Sequence, residues 1–239
     1  MSFLEIDGVS LRFAGLLAVD KVSLHIEEGE MVGLIGPNGS GKTTLLNILT
    51  GHYAPDSGSV RLDGRPIHGL RPNQVTRLGI ARMFQLTRLF RRLSALDNLI
   101  TAGCAVGLGY EAAQARADAL IEELGLPEVR DEEGANLSGG QQKLLEFGCM
   151  FMGAPRLAVL DEPFAAIHPS MREIMVRIIK DRHAGGQTFL IVSHDLPAVI
   201  DLGPRLVVMN AGSVIAEGPA EEVLNDREVI EAYLGGAAA

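Results

Sequence analysis

Residues 36–43 read Gly36-Pro37-Asn38-Gly39-Ser40-Gly41-Lys42-Thr43, and they stand between a short apolar run and a run with helical spacing. The apolar run, from Met31 to Ile35, predicts a buried strand, and the run from Thr44 to Leu49, followed by Gly51, predicts a helix. A glycine-rich loop between a strand and a helix offers successive backbone N–H groups and the positive end of the helix dipole to an anion. The context therefore predicts a phosphate-binding loop rather than a chance glycine-rich turn.

The side chains of the same loop suit a nucleotide with a magnesium ion. Lys42 is placed to neutralise the β- and γ-phosphates, and the Thr43 hydroxyl is placed to bind Mg²⁺. Glycine is expected wherever a Cβ would block the approach of a phosphate. The predicted nucleotide-binding residues of this segment are Gly36, Pro37, Asn38, Gly39, Ser40, Gly41, Lys42, Thr43 and Thr44.

A second apolar run, Leu157-Ala158-Val159-Leu160, ends in two acids, Asp161 and Glu162. An acid at the carboxyl end of a buried parallel strand lies beside the phosphate loop, where Asp161 is expected to hold the magnesium ion through water. Glu162 is expected to polarise the attacking water. The alternative is a strand that ends in two solvated acids, which the upstream loop disfavours. The loop alone leaves kinases, GTPases, recombinases and transport ATPases open.

Composition narrows the class further. The chain has 239 residues, of which 47% are hydrophobic, enough for a sizeable core. Its net charge of -9 argues against a basic surface for nucleic acid. Cys104 and Cys149 are the only cysteines, which excludes a disulfide framework and a cysteine-built zinc site and fits a reducing compartment. No segment reaches about 18 consecutive apolar residues, so the chain is not expected to span a membrane.

The order of the apolar and helical runs predicts an α/β fold. Alternation over the first 26 residues and a short strand at 58–64 predict a small antiparallel sheet. Four apolar runs alternate with helices and so predict a mostly parallel core sheet; they are residues 31–35, 79–84, 157–161 and 187–193.

The remaining segments predict an insertion and a C-terminal extension. Only helical periodicity is found between Gln85 and Ala154, in runs at 94–102, 111–124 and 138–152. A hairpin over 205–217 and a helical tail from Pro219 to Leu234 follow. We therefore predict one domain with a core at 1–85 and 155–210, a helical subdomain at 86–154, and a hairpin strand and helical tail at 211–239.

The hexapeptide Leu137-Ser138-Gly139-Gly140-Gln141-Gln142 decides between the nucleotide-binding classes. Ser138 is expected to cap a helix whose first turn exposes the N–H groups of Gly139 and Gly140, making a second anion site. The alternative is an ordinary serine-capped helix. Between a phosphate loop and an acidic strand, this hexapeptide resembles the signature of the ATP-binding-cassette (ABC) ATPases. The resemblance implies that Ser138, Gly139, Gly140 and Gln141 face the γ-phosphate bound by a second cassette, in a head-to-tail dimer that encloses two ATP molecules.

The resemblance also implies roles for three single residues. Phe13 is expected to stack on adenine, although a phenylalanine near an N-terminal strand is more often part of a core. Gln85 is expected to reach Mg²⁺ and the attacking water, and His194 to contact the γ-phosphate and Glu162. The sequence Ser193-His194-Asp195 is not expected to be a hydrolase triad, because neighbours at a strand end point in different directions.

Two further segments are similar to a particular branch, the ATP-binding subunits of branched-chain amino-acid importers. They are the stretch from Gly79 to Gln85 with Arg88-Leu89-Phe90 behind it, and the tail from Ile215 to Gly235. Cassettes for amides and urea share much of this pattern.

Membership of that branch implies a P-loop NTPase (RecA-like) fold and ATP hydrolysis with Mg²⁺. Catalysis would use Glu162, His194, Gln85 and Lys42, and metal binding Thr43, Gln85 and Asp161. The implied partners are a second cassette, either a paralogue or the same chain, and integral membrane permease subunits, with an external solute-binding protein acting indirectly. Nucleic acid is not among them. The implied location is the cytoplasmic face of the cell membrane, as a peripheral subunit.

Two other readings stay open, and one of them rests on a departure from the family pattern. After Glu162, the segment Ala166-Ile167-His168-Pro169 has His168 where the family usually has an acid or amide, in the loop that communicates between cassettes. A nucleotide-binding module with little turnover is therefore one alternative. The other is a soluble cassette protein that acts as an ATP-driven switch on nucleic acid or ribosomes, which the acidic composition disfavours.

Overall fold

A computed structural model of the protein describes residues 2–84 and 88–235, and within these ranges ten strands form two sheets. The strands are β1 Leu4–Phe13, β2 Leu16–Ile26, β3 Met31–Ile35, β4 Ser57–Leu62, β5 Arg65–Pro66, β6 Ile80–Met83, β7 Leu157–Asp161, β8 Thr188–Val192, β9 Arg205–Asn210 and β10 Ser213–Gly218. The helices are α1 Lys42–Leu49, α2 Pro72–Arg77, α3 Ala95–Ala105, α4 Tyr110–Glu123, α5 Gly139–Phe151, α6 Pro169–Ala184, α7 Leu196–Asp201, α8 Ala220–Val223 and α9 Arg227–Gly235, with a 3₁₀ turn at Pro127–Val129.

The larger sheet has the strand order β10-β9-β3-β8-β7-β6. Strands β9, β3, β8, β7 and β6 are all parallel, and β10 joins the edge antiparallel through its hairpin with β9. The predicted mostly parallel α/β core is therefore confirmed. Because parallel strands end at the same edge of a sheet, the carboxyl ends of β3, β7 and β8 lie together.

The smaller sheet has the order β2-β1-β4-β5 and is antiparallel throughout, as the alternating N-terminal pattern predicts. Helix α1 lies between the two sheets, since its apolar side chains and those of β1 and β2 share one core with Val32, Leu34 and Val159 of the parallel strands. The opposite face of the parallel sheet packs on α3–α6 through a second core that includes Phe147 and Phe189. The large sheet is thus buried on both faces, which explains its nearly continuous apolar strands.

Helical structure follows the sequence pattern between β6 and β7 and again at the C-terminus. Helices α3, α4 and α5 occupy the three predicted runs. The predicted helical tail consists of two helices, because α8 ends at Val223 and a new helix begins at Arg227. The Asp226 carboxylate accepts hydrogen bonds from the N–H groups of Glu228 (2.7 Å) and Val229 (3.3 Å), which starts a second helix at this point. Within the described ranges, every helix is too short or too polar to cross a bilayer.

Candidate nucleotide site

A cavity of about 630 Å³ opens at the edge where β3, β7 and β8 end. Its floor is the loop between β3 and α1, one side is formed by the ends of β7 and β8, and the other by the turn between β1 and β2. The lining residues are Phe13, Leu16, Leu17, Ala18, Asn38, Gly39, Ser40, Gly41, Lys42, Thr43, Thr44, Asp161, Glu162, Val192, His194 and Ala211. The structure therefore brings together the predicted loop, both acids, His194 and Phe13.

Two glycines of the loop are required by packing against backbone. A Cβ on Gly36 would lie 2.1 Å from the carbonyl oxygen of Met209, and a Cβ on Gly41 would lie 2.4 Å from that of Ala18. Both residues also have positive φ angles, 145° and 102°. Around Gly39, in contrast, a Cβ would meet no atom within 4 Å, on the side that lines the cavity. Gly36 and Gly41 therefore let β9 and β2 close on the loop, and the expectation that a Cβ would block a phosphate stays a prediction.

Lys42 begins α1 and is buried beneath the loop. Its Nζ donates hydrogen bonds to the carbonyl oxygens of Gly36 (2.8 Å) and Pro37 (2.9 Å) and contacts Ser40 Oγ at 3.3 Å. Burial lowers the pKa of this lysine, and the nearby carboxylates of Asp161 and Glu162 oppose that shift. An ammonium held by neutral carbonyls in a partly desolvated site is poised to bind an anionic oxygen.

Asp161 is held by a buried arginine that the sequence analysis did not identify. Arg82, in β6, donates to Asp161 Oδ2 at 2.7 Å, and both side chains are about 95% buried. The other guanidinium nitrogen donates to Asn47 Oδ1 (2.7 Å) and Thr50 Oγ1 (3.1 Å) in and after α1. One oxygen of the acid is therefore bound to arginine. The sequence contains one indication of this role, which is that Arg82 is a charged residue inside the apolar run from Ile80 to Met83.

Glu162 is oriented from the end of β8. Ser193 Oγ donates to Glu162 Oε2 at 3.0 Å, and the His194 backbone N–H donates to Oε1 at the same distance. The His194 ring also lies against the carboxylate, with Nδ1 2.9 Å from Oε2, while the rest of that ring is exposed. The predicted contact between His194 and Glu162 is present, and Ser193 is a second residue that the sequence analysis did not assign to the site.

These contacts correct one argument about Ser193, His194 and Asp195. The first two side chains do not point apart, because both reach the same Glu162 carboxylate. The three still form no hydrolase triad, since the Asp195 carboxylate accepts from the Ala198 N–H at 3.1 Å and pairs with Arg172 at 3.4 Å. Asp195 therefore serves as the N-cap of α7.

The aromatic side of the cavity is accessible to a base. Phe13 is 41% exposed and packs edge-on against Tyr53, with ring centroids 5.2 Å apart. Leu16, across the β1–β2 turn, is 69% exposed and lines the same cavity. A large apolar side chain left exposed at a cavity suits a planar ligand better than it suits a core.

The donor set fits a magnesium ion that is also held by phosphate. Thr43 and Asp161 both line the cavity and offer a hydroxyl and a carboxylate, the hard oxygen ligands that Mg²⁺ prefers, and Mg²⁺ commonly takes its other ligands from phosphates and water. Gln85, the third predicted metal ligand, lies outside the described residues.

The predicted second anion site lies elsewhere on the chain. Ser138 caps α5 as predicted, with Oγ accepting from the Gln141 N–H (3.3 Å) and Gln141 Oε1 accepting from the Ser138 N–H (2.8 Å). Gly140 packs on α6, because a Cβ there would lie 2.3 Å from Met171 Sδ. None of Ser138, Gly139, Gly140 and Gln141 lines the cavity. The phosphate loop and the segment from Ser138 to Gln141 therefore do not line one cavity in a single chain.

His168 occupies a capping position. It is the N-cap of α6, and its Nδ1 accepts from the Ser170 N–H at 3.4 Å and lies 2.9 Å from Ser170 Oγ. The acids and amides that the family usually has here are the preferred N-cap residues. The histidine thus keeps a capping contact that the usual residue types provide.

Comparisons with known families agree with this site. The family model described as ABC transporter matches residues 19–165, and that described as branched-chain amino acid ATP-binding cassette transporter matches residues 213–239. The chain is 38% identical over 250 residues to the high-affinity branched-chain amino acid transport ATP-binding protein BraF of Pseudomonas aeruginosa, covering 98% of each chain. It is 37% identical to LivG of Escherichia coli K12, also over 98% of each chain.

Solved structures of ABC cassettes are also similar to this chain. A nucleotide-free ATP-binding cassette from an ABC transporter superimposes with a TM-score of 0.87 and 32% identity, covering 98% of this chain and 99% of the other. The ADP conformation of the cassette MJ1267 gives 0.86, with the same identity and coverage. The dimeric structure of the bacterial ABC transporter cassette MJ0796 gives 0.83 with 26% identity, covering 90% of this chain and 98% of the other.

Proposed function

Because the chain belongs to the ABC transporter family, we propose that it is the ATP-hydrolysing subunit of an importer for branched-chain amino acids. The observation that carries the proposal is the Glu162 carboxylate, held by Ser193 and His194 at the mouth of a cavity whose floor is the phosphate loop. In this proposal the loop and Lys42 determine where the phosphates bind, and Glu162 lies beside the water molecule that attacks the γ-phosphate.

The reaction is transfer of the γ-phosphoryl group to water, which requires mainly positioning and neutralisation of charge. Lys42 exchanges its carbonyl partners for phosphate oxygens, and the loop amides bind the remaining oxygens. Glu162 orients the water and accepts its proton, while His194 contacts both Glu162 and the γ-phosphate. Thr43 and Asp161 would hold a magnesium ion, which would supply further charge neutralisation at the phosphates. Gln85 would be a further ligand and would report the state of the site to the membrane partner.

The second cassette supplies the remaining charge stabilisation. Ser138 and the Gly140 amide of one cassette would face the ATP of the other, head to tail, so hydrolysis requires closure of the pair. The second cassette is another copy of this chain or a paralogue. The pair binds permease subunits at the cytoplasmic face of the membrane, and a solute-binding protein outside the membrane delivers the solute.

The solute class rests on the tail and on the relatives. The segment from residue 213 onward matches the model for branched-chain amino acid cassettes, and the BraF and LivG relatives are named for that transport. Uptake of labelled leucine, labelled acetamide and labelled urea, each measured separately in cells that carry the transporter, tests this class. Loss of leucine uptake on Glu162→Gln supports it, whereas loss of only amide or urea uptake contradicts it.

The activity itself is tested by Mg²⁺-dependent ATPase measurements on the purified chain at increasing protein concentration. We expect turnover that rises with the square of concentration and vanishes in Glu162→Gln, which retains ATP because only the acid that activates water is neutralised. Glu173→Gln, at an exposed acid of α6, is the matched control and should behave as the unmodified chain. Undiminished turnover in Glu162→Gln would refute the assignment.

A further inference from the structure

Lys143 is a buried lysine that lines neither the nucleotide cavity nor the exposed surface. It lies in the second turn of α5, five residues after the cap Ser138, and only 7% of it is exposed. Burial lowers the pKa of its ammonium, and Glu146 and Glu162 are the carboxylates whose charges oppose that shift. A buried ammonium costs free energy unless it is well hydrogen-bonded, so its partners are informative.

Those partners are backbone oxygens at the hydrolytic acid. Lys143 Nζ donates to the carbonyl oxygen of Glu162 at 2.9 Å and to that of Ala165 at 2.7 Å. Glu162 and Ala166 both have left-handed backbone conformations, with φ of 52° and 56°, which are unfavourable for residues with a side chain. Lys143 therefore binds two carbonyl oxygens of the strained turn that follows β7.

The carboxylate and backbone of Glu162 are thus held from opposite directions. Ser193 and His194, at the end of β8, hold its side chain, whereas Lys143 holds its carbonyl from α5. A shift of α5 would rotate the backbone of Glu162 while its carboxylate stays anchored. The same helix also packs against the start of α6, where Gly140 contacts Met171, so α5 touches the turn after β7 and the helix that follows it.

We propose that Lys143 is a positioning residue for Glu162, and that through it the signature helix α5 sets the geometry of hydrolysis in its own chain. The inference rests on the proposed function. In the head-to-tail pair, the first turn of α5 faces the ATP of the other cassette. Lys143 would then connect the occupancy of one site to the alignment of the acid at the other, through a single side chain.

The test compares Lys143→Met with Lys143→Arg, which keeps a charged donor, and with Lys180→Met, a matched control at an exposed lysine of α6 that pairs with Asp201. Three quantities are measured in each purified chain. They are the ATPase kcat and KM, the affinity for MgADP, and the hydrogen exchange of the backbone amides of residues 162–168.

For Lys143→Met we expect kcat to fall roughly 10- to 100-fold, since a small misplacement of a reacting group has effects of this size. KM and MgADP affinity should stay within about twofold, because Lys143 lies outside the cavity. Exchange of the 162–168 amides should accelerate while that of α1 is unchanged. Lys143→Arg should recover part of kcat, and Lys180→Met should change nothing.

An unchanged kcat in Lys143→Met overturns the proposal, and so does a fall in kcat matched by loss of MgADP affinity, which would indicate general damage to the site. If the unmodified chain itself shows no turnover, it is the proposed activity that fails. The hydrogen exchange of residues 162–168 then still decides the role of Lys143, since unchanged exchange in Lys143→Met refutes it.

Discussion

Arg82 and Asp161 form a buried ion pair beside the nucleotide cavity, which Asp161 lines, and this pair matters for the stability of the fold. Removing one partner of a buried pair leaves an uncompensated charge, which costs far more than the pair contributes. The arginine also ties β6 to α1 through Asn47. The orientation of the acid is therefore built into the packing between the strand and the loop helix.

We predict that Arg82→Met lowers the free energy of unfolding by roughly 3–5 kcal/mol, as measured by urea denaturation. The double variant with Asp161→Asn should lose less unfolding free energy than the two single variants lose together. The reason is that the second change removes the charge that the first left unpaired. Arg227→Met is the matched control, since Arg227 is 93% exposed in its pair with Glu231 and should cost under about 1 kcal/mol. Additive single effects would contradict a coupled pair.

The role of a single residue was predictable from the sequence where it depends on the strand or helix next to that residue in the chain. Lys42 begins the helix that follows β3 and its loop, and Asp161 ends β7, so their positions follow from the parallel sheet. The roles of Arg82 and Ser193 were not predicted, because their partners Asp161 and Glu162 lie 79 and 31 residues away in the chain. Only the strand order brings each pair together. The contact of Lys143 with the turn after β7 was not predicted for the same reason.

Helix α5 carries an acid whose burial is unusual. Glu146 is 7% exposed, and burial raises its pKa from 4.5 to about 7, against the opposing effects of the Arg88 and Phe84 backbone N–H groups and the charges of Lys143 and Arg88. The folded chain therefore binds a proton that the unfolded chain releases between about pH 4.5 and 7. The stability from this group is present below the unfolded pKa and is lost as pH rises through the folded one.

We predict that Glu146→Gln becomes more stable relative to the unmodified chain as pH rises from 5 to 8, by roughly 1–3 kcal/mol, because glutamine does not ionise. The measurement is the difference in urea unfolding free energy between the two chains at each pH. The control is Glu111→Gln, at an exposed position of α4, whose difference should stay constant. A difference for Glu146→Gln that is flat with pH would contradict the predicted cost of ionising Glu146.

At the scale of elements, the bounds of a strand were predicted correctly where the whole strand is buried and so is apolar throughout. Strands β3 and β7 begin and end where predicted, since each is buried along its whole length. The tail is helical as predicted, but its division into two helices was not predicted, because the periodicity of apolar residues continues across Leu224 to Asp226 while a side-chain cap at Asp226 starts a new helix. Hydrophobic periodicity does not report such a break when the capping residue is an acid in an otherwise helical run.

On the scale of the whole molecule, the two predicted anion-binding segments lie apart. The phosphate loop lines the cavity, whereas Ser138 is exposed on the helical insertion and absent from the cavity lining. In the proposed function each chain therefore carries half of each of two sites, and both sites are completed when two cassettes pair. The predicted consequence is ATP-dependent association in a chain that binds but does not hydrolyse ATP.

Two substitutions of Ser138 separate its capping role from its role toward phosphate, both made in the Glu162→Gln background. Aspartate and asparagine have nearly the same shape and both are good N-caps, so α5 should remain intact in either variant. Aspartate adds a negative charge where the partner's γ-phosphate would lie, and asparagine adds none. We predict that sedimentation with MgATP shows dimers for Ser138→Asn and monomers for Ser138→Asp, with ATP bound in both. Equal association of the two variants would place Ser138 away from the phosphate, and monomers in both, with ATP bound, would contradict pairing of identical chains and require a paralogous cassette.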